Sequence, residues 1–215
     1  MDITLLVGTC DKYSFLWKNF AILFERYWDS SININRYFLS ETLSFNDYGF
    51  NTLLPGKVPY SDCLKFALDS VDTKYILWMQ DDYFLQKTVS KPKFDYYMSM
   101  MENGIDRFGI HEDSIYYRKS HVINTMYRLH QHSLYTISMQ ASIWNKNFFK
   151  SCLIKHGHEN PWEFEVNGST RLNSTQTHNI LFDKQEEPWY NEAMRKGQFT
   201  QEYHDILKKE NLHEI

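Results

Sequence analysis

The stretch Tyr75-Ile-Leu-Trp-Met-Gln-Asp-Asp-Tyr-Phe84 runs through five apolar or aromatic residues and then, past Gln80, presents two adjacent carboxylates, Asp81 and Asp82. An uninterrupted apolar run fits a strand covered on both faces, and acids at its C-terminal end lie where an open α/β sheet binds ligands. Hard oxygens at that place suit Mg²⁺ or Mn²⁺, which takes one or two protein carboxylates and completes its shell from phosphates and water. A metal-held diphosphate is therefore expected, with Asp82 as direct ligand and Asp81 turned toward ribose or a cation-bound water. The same pair outside such a setting is an ordinary acidic turn, so the surrounding elements decide.

Upstream, strand and helix alternate. Ile3-Thr-Leu-Leu-Val7 is β-rich and closed by Gly8, and a helix is expected over 15–28, where Leu16, Phe20, Leu23 and Tyr27 fall at helical spacing. Further strands are expected at 32–39 and 50–54. Pro55-Gly-Lys-Val-Pro59 then breaks the chain before a helix with Ser61 as cap and Leu64, Ala67, Leu68 and Val71 as apolar face. Residues 90–101 add a covering helix. This rhythm predicts an α/β fold with a Rossmann-like, mostly parallel sheet flanked by helices. From about residue 106 short β-leaning pieces (107–111, 115–117, 126–129, 134–138) follow without long helices, and a smaller antiparallel part is expected. Residues 145–154 read as a helix. Asn160-Pro-Trp-Glu163 reads as another helix start, with Asn160 as cap, Pro161 in the first turn and Glu163 three residues after the cap. A polar helix over 200–211 docks through Tyr203, Ile206 and Leu207. Nothing in this pattern divides the chain, so a single domain over 1–215 is expected.

Composition narrows the classes. With 23 Lys and Arg against 27 Asp and Glu, the net charge of −4 draws no nucleic acid, and none is expected as a partner. Cys10, Cys63 and Cys152 are odd in number and free of any C-x-x-C spacing, which argues against a disulfide framework or zinc knuckle and for a reducing cytoplasm. No run reaches the roughly 18 apolar residues of a membrane span, so membrane contact is expected to be peripheral at most, at the inner face. Gly8 stands alone after the first strand, which removes the dinucleotide and P-loop readings.

Thr9-Cys-Asp-Lys-Tyr13, Gln80-Asp-Asp82, Ser138-Met-Gln-Ala-Ser-Ile-Trp144 and Pro161-Trp-Glu-Phe-Glu165 follow one another in an order that resembles small GT-A fold glycosyltransferases. Members of that group occur in bacterial surface-polysaccharide (lipopolysaccharide and capsule) pathways and in large algal viruses. The likeness spans nearly the whole chain and reaches Tyr190-Asn-Glu-Ala-Met-Arg-Lys-Gly197, similar to the group's closing segment. It implies transfer of a sugar from a UDP- or GDP-linked donor to a hydroxyl of a saccharide or lipid-linked saccharide, with inversion. It also implies a nucleotide-sugar-binding half over 1–105 and an acceptor-binding half over 106–215. Where the group has an acid-any-acid triplet this chain has Gln80-Asp81-Asp82, so the first ligand position is altered. His178 would be a third ligand, as a C-terminal histidine is in some GT-A enzymes, although a lone histidine near a strand ordinarily has a structural role.

Other residue types fit the same chemistry. Thr9 can hydrogen-bond, Asp11 can accept and Tyr13 can stack, the makings of a base and ribose pocket, with Glu41 past the second strand as a lesser member. Asp11 or Ser14 is equally suited to start the next helix. Arg195 and Lys196 add positive charge for a diphosphate, or form an exposed basic turn. Inverting transfer needs one carboxylate to take the acceptor proton. Glu163 and Glu165 diverge by about 200° on a helix, so they cannot share a substrate. Glu163 is accounted for by the cap, and the group's motif ends in the second acid; Glu165 is the expected base and Glu163 the alternate. Trp162 is expected to stack on an acceptor sugar or to pack. Gln140 and Trp144 fall where the group faces donor sugar and acceptor. His156-Gly-His158-Glu159 is expected as an acceptor-side loop, and His130 and His132 as a polar edge strand. A sugar-phosphate nucleotidyltransferase and a non-catalytic carbohydrate-binding domain are the competing readings. The first calls for a basic, Gly-rich loop where Thr9–Tyr13 stands.

Overall fold

A computed structural model describes residues 1–110, 119–123, 126–154, 159–183 and 189–213. The first half follows the alternation of the sequence. β1 (Ile3–Gly8) leads through a 3₁₀ turn (Asp11–Leu16) into α1 (Trp17–Tyr27); β2 (Asn35–Leu39) and β3 (Phe50–Leu53) precede α2 (Tyr60–Asp69), and β4 (Tyr75–Gln80) is followed after Asp81 and Asp82 by β5 (Tyr83–Leu85). α3 (Lys91–Glu102), β6 (Arg107–Gly109), β7 (Lys119–Ile123), β8 (Met126–Leu129), β9 (Ser142–Asn145), α4 (Lys146–Cys152), α5 (Pro161–Thr175) and β10 (Ile180–Asp183) come next. β11 (Tyr190–Glu192), β12 (Met194–Arg195), β13 (Gln198–Phe199) and α6 (Gln201–Glu210) end the described chain.

Among the described residues nine strands form one sheet in the order β3-β2-β1-β4-β9-β6-β10-β8-β7, with β3, β2, β1 and β4 parallel. β9 runs against both β4 and β6, and β8 runs against β10 and β7. Strand β4 sits near the middle and is buried along both faces, as its sequence requires. Its alternation divides the core: Tyr75, Leu77 and Met79 pack with Ile3, Leu5 and Val7 of β1 against α1 and α3, whereas Ile76 and Trp78 pack with Leu6 against α2, α4 and α5.

Gly8 ends β1 for a steric reason. A Cβ there would lie 2.4 Å from a ring carbon of Trp78, whose indole crosses β1 from the neighbouring strand and donates to the Met139 carbonyl (3.1 Å).

Several sequence expectations change. Ser61 lies inside α2, buried, with Pro59 in the cap position: the proline's fixed φ starts the helix two residues earlier. The strand expected over 134–138 does not form, because its polar groups are bound by side chains. Ile137 N–H donates to Ser169 Oγ (2.8 Å) and the Thr136 carbonyl accepts from Arg107 Nη1 (2.9 Å). The strand is instead β9, which the helical reading of 145–154 adjoined; Asn145 ends it and caps α4, accepting from Asn147 N (3.0 Å) and Phe148 N (3.2 Å). Trp144 is 0% exposed and stacks on Phe149 at 4.3 Å, so it packs the core and meets no acceptor. The strand expected over 115–117 and the 156–158 part of the histidine loop lie outside the described residues. No helix among the described residues is long and apolar enough to cross a membrane.

Candidate active site

Parallel strands aim their C-terminal ends at one edge, and β1, β2 and β4 bring Thr9, Ser40 and Asp81 there. β9 is reversed, so its beginning lies at that edge too: Ser142 pairs with Trp78, and Gln140 and Ala141 lead into it.

Asp81 is 6% exposed and accepts from the Thr9 hydroxyl, which itself accepts from Trp17 Nε1 (2.7 Å). Burial pushes Asp81 up to about 8 against the pull of the Thr9 bond, with the Asp82 charge adding to the rise. Asp81 is thus fastened to the floor beneath the site. Asp82 points elsewhere. Its Oδ1 is buried and has no hydrogen-bond partner, and burial followed by the charge of Glu192 raises its pKa to about 7. An orphaned carboxylate oxygen at the ligand edge is the feature a hard cation would satisfy.

Glu192 was not singled out by sequence. β5 begins directly after Asp82, and β11 pairs with it antiparallel, opposing Glu192 to Tyr83; the Ala193 amide donates to the Asp82 carbonyl (2.7 Å). The signal was present, because an apolar Tyr-Phe-Leu after two acids needs a partner strand and Tyr190-Asn-Glu192 supplies one. Arg195 donates through Nε (3.2 Å) and Nη2 (3.1 Å) to Glu192. With Lys196 it occupies a hairpin between β12 and β13 whose two-residue loop, Lys196 (φ 52°) and Gly197 (φ 77°), has the positive φ values of a type I′ turn. Arg195 therefore meets the acid pair only through Glu192, and Lys196 stands exposed in the turn.

Across the edge stands α5. Its start is the expected capping box: Asn160 accepts from Glu163 N–H (3.0 Å), and Glu163 accepts from Asn160 N–H (2.9 Å). Glu163 is exposed and committed to that cap. Glu165, on the other side of the helix, is half-buried and accepts from the Met139 amide; burial raises its pKa, while that amide, Arg107 and the Ser138 hydroxyl pull it down. Met139 is gripped from both sides, since its carbonyl accepts from Trp78 and from Gln80 Nε2 (3.2 Å). Trp162 projects into solvent, 75% exposed.

Tyr83 joins the two acids. Burial, then Tyr190, Asp82, Glu192 and Glu165, hold its hydroxyl well above the usual range, so one phenol feels both Asp82 and Glu165. Its ring stacks on Tyr190 at 4.5 Å, and the Tyr190 hydroxyl donates to Gln140 Oε1 (2.7 Å).

The expected nucleotide loop is arranged differently. Asp11 accepts from Ser40 Oγ (3.0 Å), Thr42 N–H (2.9 Å), the Thr42 hydroxyl and Leu43 N–H (3.0 Å), bonds that hold it below the usual carboxylate range. Its carboxylate is occupied in tying β2's exit loop to the 3₁₀ turn. Glu41 accepts from Asp11 N–H (3.3 Å), and Tyr13, half-buried, meets Phe15 edge-on at 6.1 Å. His178 is not near Asp82: it precedes β10, which runs in the direction of β4, so it lies at the opposite edge of the sheet. There burial, followed by Arg107, His132 and His130, lowers its pKa to about 4. No group of three or more His, Cys, Asp or Glu among the described residues could by itself hold a metal.

Comparison with protein-family models and with curated protein sequences returns no match. Solved structures do match. The crystal structure of S. aureus TarS 1-349 superposes with a TM-score of 0.58 at 11% identity, covering 88% of this chain and 60% of that one. The same fragment in complex with UDP-GlcNAc gives 0.59 at 13%, covering 93% and 60%. A cytidylyltransferase from Leptospira borgpetersenii serovar Hardjo-bovis (strain JB197) gives 0.52 at 11%, covering 98% and 95%. The chain thus spans 60% of the TarS fragments' length. The shared architecture is the α/β GT-A fold.

Proposed function

We propose that this chain is a glycosyltransferase that moves a sugar from a UDP-linked donor to a hydroxyl of a saccharide or lipid-linked saccharide, with inversion, in surface-glycan synthesis. The observation that carries this reading is the partnerless buried oxygen of Asp82 at the ligand edge, with the charge of Glu192 beside it. UDP is preferred over GDP because TarS, of similar fold, was crystallised with UDP-GlcNAc and with UDP. Residues 1–105 would supply most of the donor side and 106–215 the acceptor side. The three cysteines are free, which supports action in a reducing cytoplasm.

Asp82, with Glu192 beside it, would hold Mn²⁺ or Mg²⁺; two carboxylates suffice where diphosphate oxygens and water complete the shell. When bound, the cation neutralises charge that develops on the departing diphosphate. Arg195, paired with Glu192, and Lys196 in the following turn would add to that neutralisation. Thr9 and Asp81 support the floor under the nucleotide, with Glu41 and Tyr13 at its rim. Glu165 takes the proton of the acceptor hydroxyl as that oxygen attacks the anomeric carbon; the bond to the diphosphate breaks and its electron pair leaves with UDP. Burial brings Glu165 toward a working pH as a base. Trp162, exposed one turn from it, offers a face for an acceptor sugar.

The test is release of UDP from UDP-GlcNAc by the purified chain, with Mn²⁺ and with EDTA. Metal-dependent turnover supports the proposal, and binding without turnover leaves a carbohydrate-binding module. The cytidylyltransferase match, which covers nearly the whole of both chains, favours a second reading as a sugar-phosphate nucleotidyltransferase. Release of pyrophosphate from CTP or UTP with a sugar phosphate would establish that instead.

A further inference from the structure

The outer face of α5 borders a groove. Trp162, Val166 and Thr170 recur every four residues along one stripe of the helix, and its second half and the loop over 132–135 flank an open cavity of about 660 Å³, within the usual size of a ligand site. The loop is pinned. Asn173 donates to the Ser133 carbonyl (2.9 Å) and accepts from the Thr136 hydroxyl (2.9 Å), which keeps Leu134 69% exposed on the cavity wall across from Val166, 47% exposed. The rest of the lining is hydroxyl, phenol, amide and imidazole, with no carboxylate, ammonium or guanidinium among the described residues. Thr170 and Ser174 donate their hydroxyl protons to helix carbonyls, those of Val166 (3.1 Å) and Arg171 (2.8 Å), so lone pairs are what they offer a ligand. Apolar contact beside uncharged acceptors matches a sugar, whose ring has an apolar face and a rim of hydroxyl donors. An acyl chain would leave those acceptors unpaired, and a polyanion would meet no cation. The groove also adjoins the candidate site. The segment that forms its wall continues to Met139, whose amide donates to Glu165, and Val166 directly follows Glu165. From Glu165 to Ser174 the helix advances about 14 Å, more than one pyranose ring spans.

We propose that this groove is an acceptor subsite for an uncharged oligosaccharide, holding the sugars behind the one whose hydroxyl reacts, so that the protein extends chains of two or more sugars in preference to single ones. The subsite deepens the glycosyltransferase reading, on which it rests, by giving the acceptor a class.

Calorimetric titration of the full chain, with UDP and Mn²⁺, by glucose, galactose and N-acetylglucosamine and by neutral linear oligomers of each tests it. At least one series should bind about tenfold more tightly as trimer than as monomer. Thr170→Arg, which sets a long side chain in the groove, and Leu134→Asp, which removes its apolar wall, should each erase that gain; both positions are exposed, and circular dichroism checks the fold. Affinity independent of length, no binding by any oligomer, or a gain that survives both folded variants overturns the subsite. Loss of binding to phosphatidylglycerol vesicles, or of a concentration-dependent dimer, in Leu134→Asp without any effect on sugars gives the groove to a membrane or to a second copy instead. UDP affinity, measured beside each titration, separates the failures: with UDP bound and no gain the subsite alone falls, and without UDP binding the transferase reading falls first.

Discussion

Glu163 and Glu165 stand two residues apart on α5 in opposite surroundings: one is spent on Asn160, the other is drawn inward to Met139. Glu165→Gln should preserve UDP-GlcNAc affinity and lower transfer by about 10²–10⁴-fold, the usual worth of a positioned base, whereas Glu163→Gln should leave transfer within a fewfold of wild type. Steady-state rates beside binding isotherms separate the two, and the reverse pattern would make Glu163 the base. Asp81 carries a pH signature. Its folded pKa is about 8 against 3.8 for a free carboxyl, so the folded chain binds its proton more tightly than the unfolded one does. The stability this contributes is complete below about 4 and is lost as pH rises through about 8. Urea midpoints of the protein in EDTA should therefore fall across that window and flatten in Asp81→Asn; a midpoint that climbs contradicts the burial argument. At this scale the sequence offered candidate acids but not their partners. Asp11 suited a nucleotide pocket by type, yet Ser40, Thr42 and Leu43 close on it from a loop thirty residues away in sequence. Such a contact has no local pattern. Glu192, Tyr83 and Tyr190 escaped differently: the Tyr-Phe-Leu run calls for a partner strand, but only the pairing of β5 with β11 identifies which segment supplies it.

Elements were legible where the chain signals them locally. The Asn160-Pro-Trp-Glu box specified α5 down to both reciprocal bonds, and Asn160→Ala should cost about 1 kcal/mol, read as a lower melting midpoint with the fold intact by circular dichroism. The apolar run into Asp81 likewise gave β4 and its covered faces. β9 was missed because Ser-Ile-Trp-Asn is too short for periodicity to separate strand from the helix that follows. Residues 134–138 looked β-like, but their backbone is bound by Ser169 and Arg107 rather than by a ladder. Gly8 is the strictest element boundary. An alanine there meets two Trp78 ring carbons at 2.4 and 2.5 Å, and that indole is 2% exposed and bonded to Met139. Gly8→Ala should destabilise by about 1–3 kcal/mol in chemical denaturation, the range for overpacking a filled core. Wild-type stability would mean that the indole can swing aside.

For the molecule as a whole, the proposed ligands should act as folding ligands. A site occupied at 100 times its dissociation constant adds about 2.7 kcal/mol, which for a chain near 215 residues is a rise in melting temperature of roughly 5–10 °C. UDP with Mn²⁺ should produce that shift, and Asp82→Ala should remove the part that needs the metal; an identical shift in the variant would place the cation elsewhere. The α/β class and the ligand edge followed from strand rhythm and from acids at the end of an apolar run, both properties of contiguous sequence. The second half resisted reading because its strands join the same sheet in an order, β9-β6-β10-β8-β7, that no local pattern encodes. The reversal of β9 has a consequence for how such a protein can change over generations. Because that strand enters the sheet from the ligand edge, the chain just ahead of it belongs to edge and interior at once: Ile137 and Met139 pack in the core beside half-buried Gln140. A change of preference written there has to be accommodated by the hydrophobic interior that keeps the molecule folded.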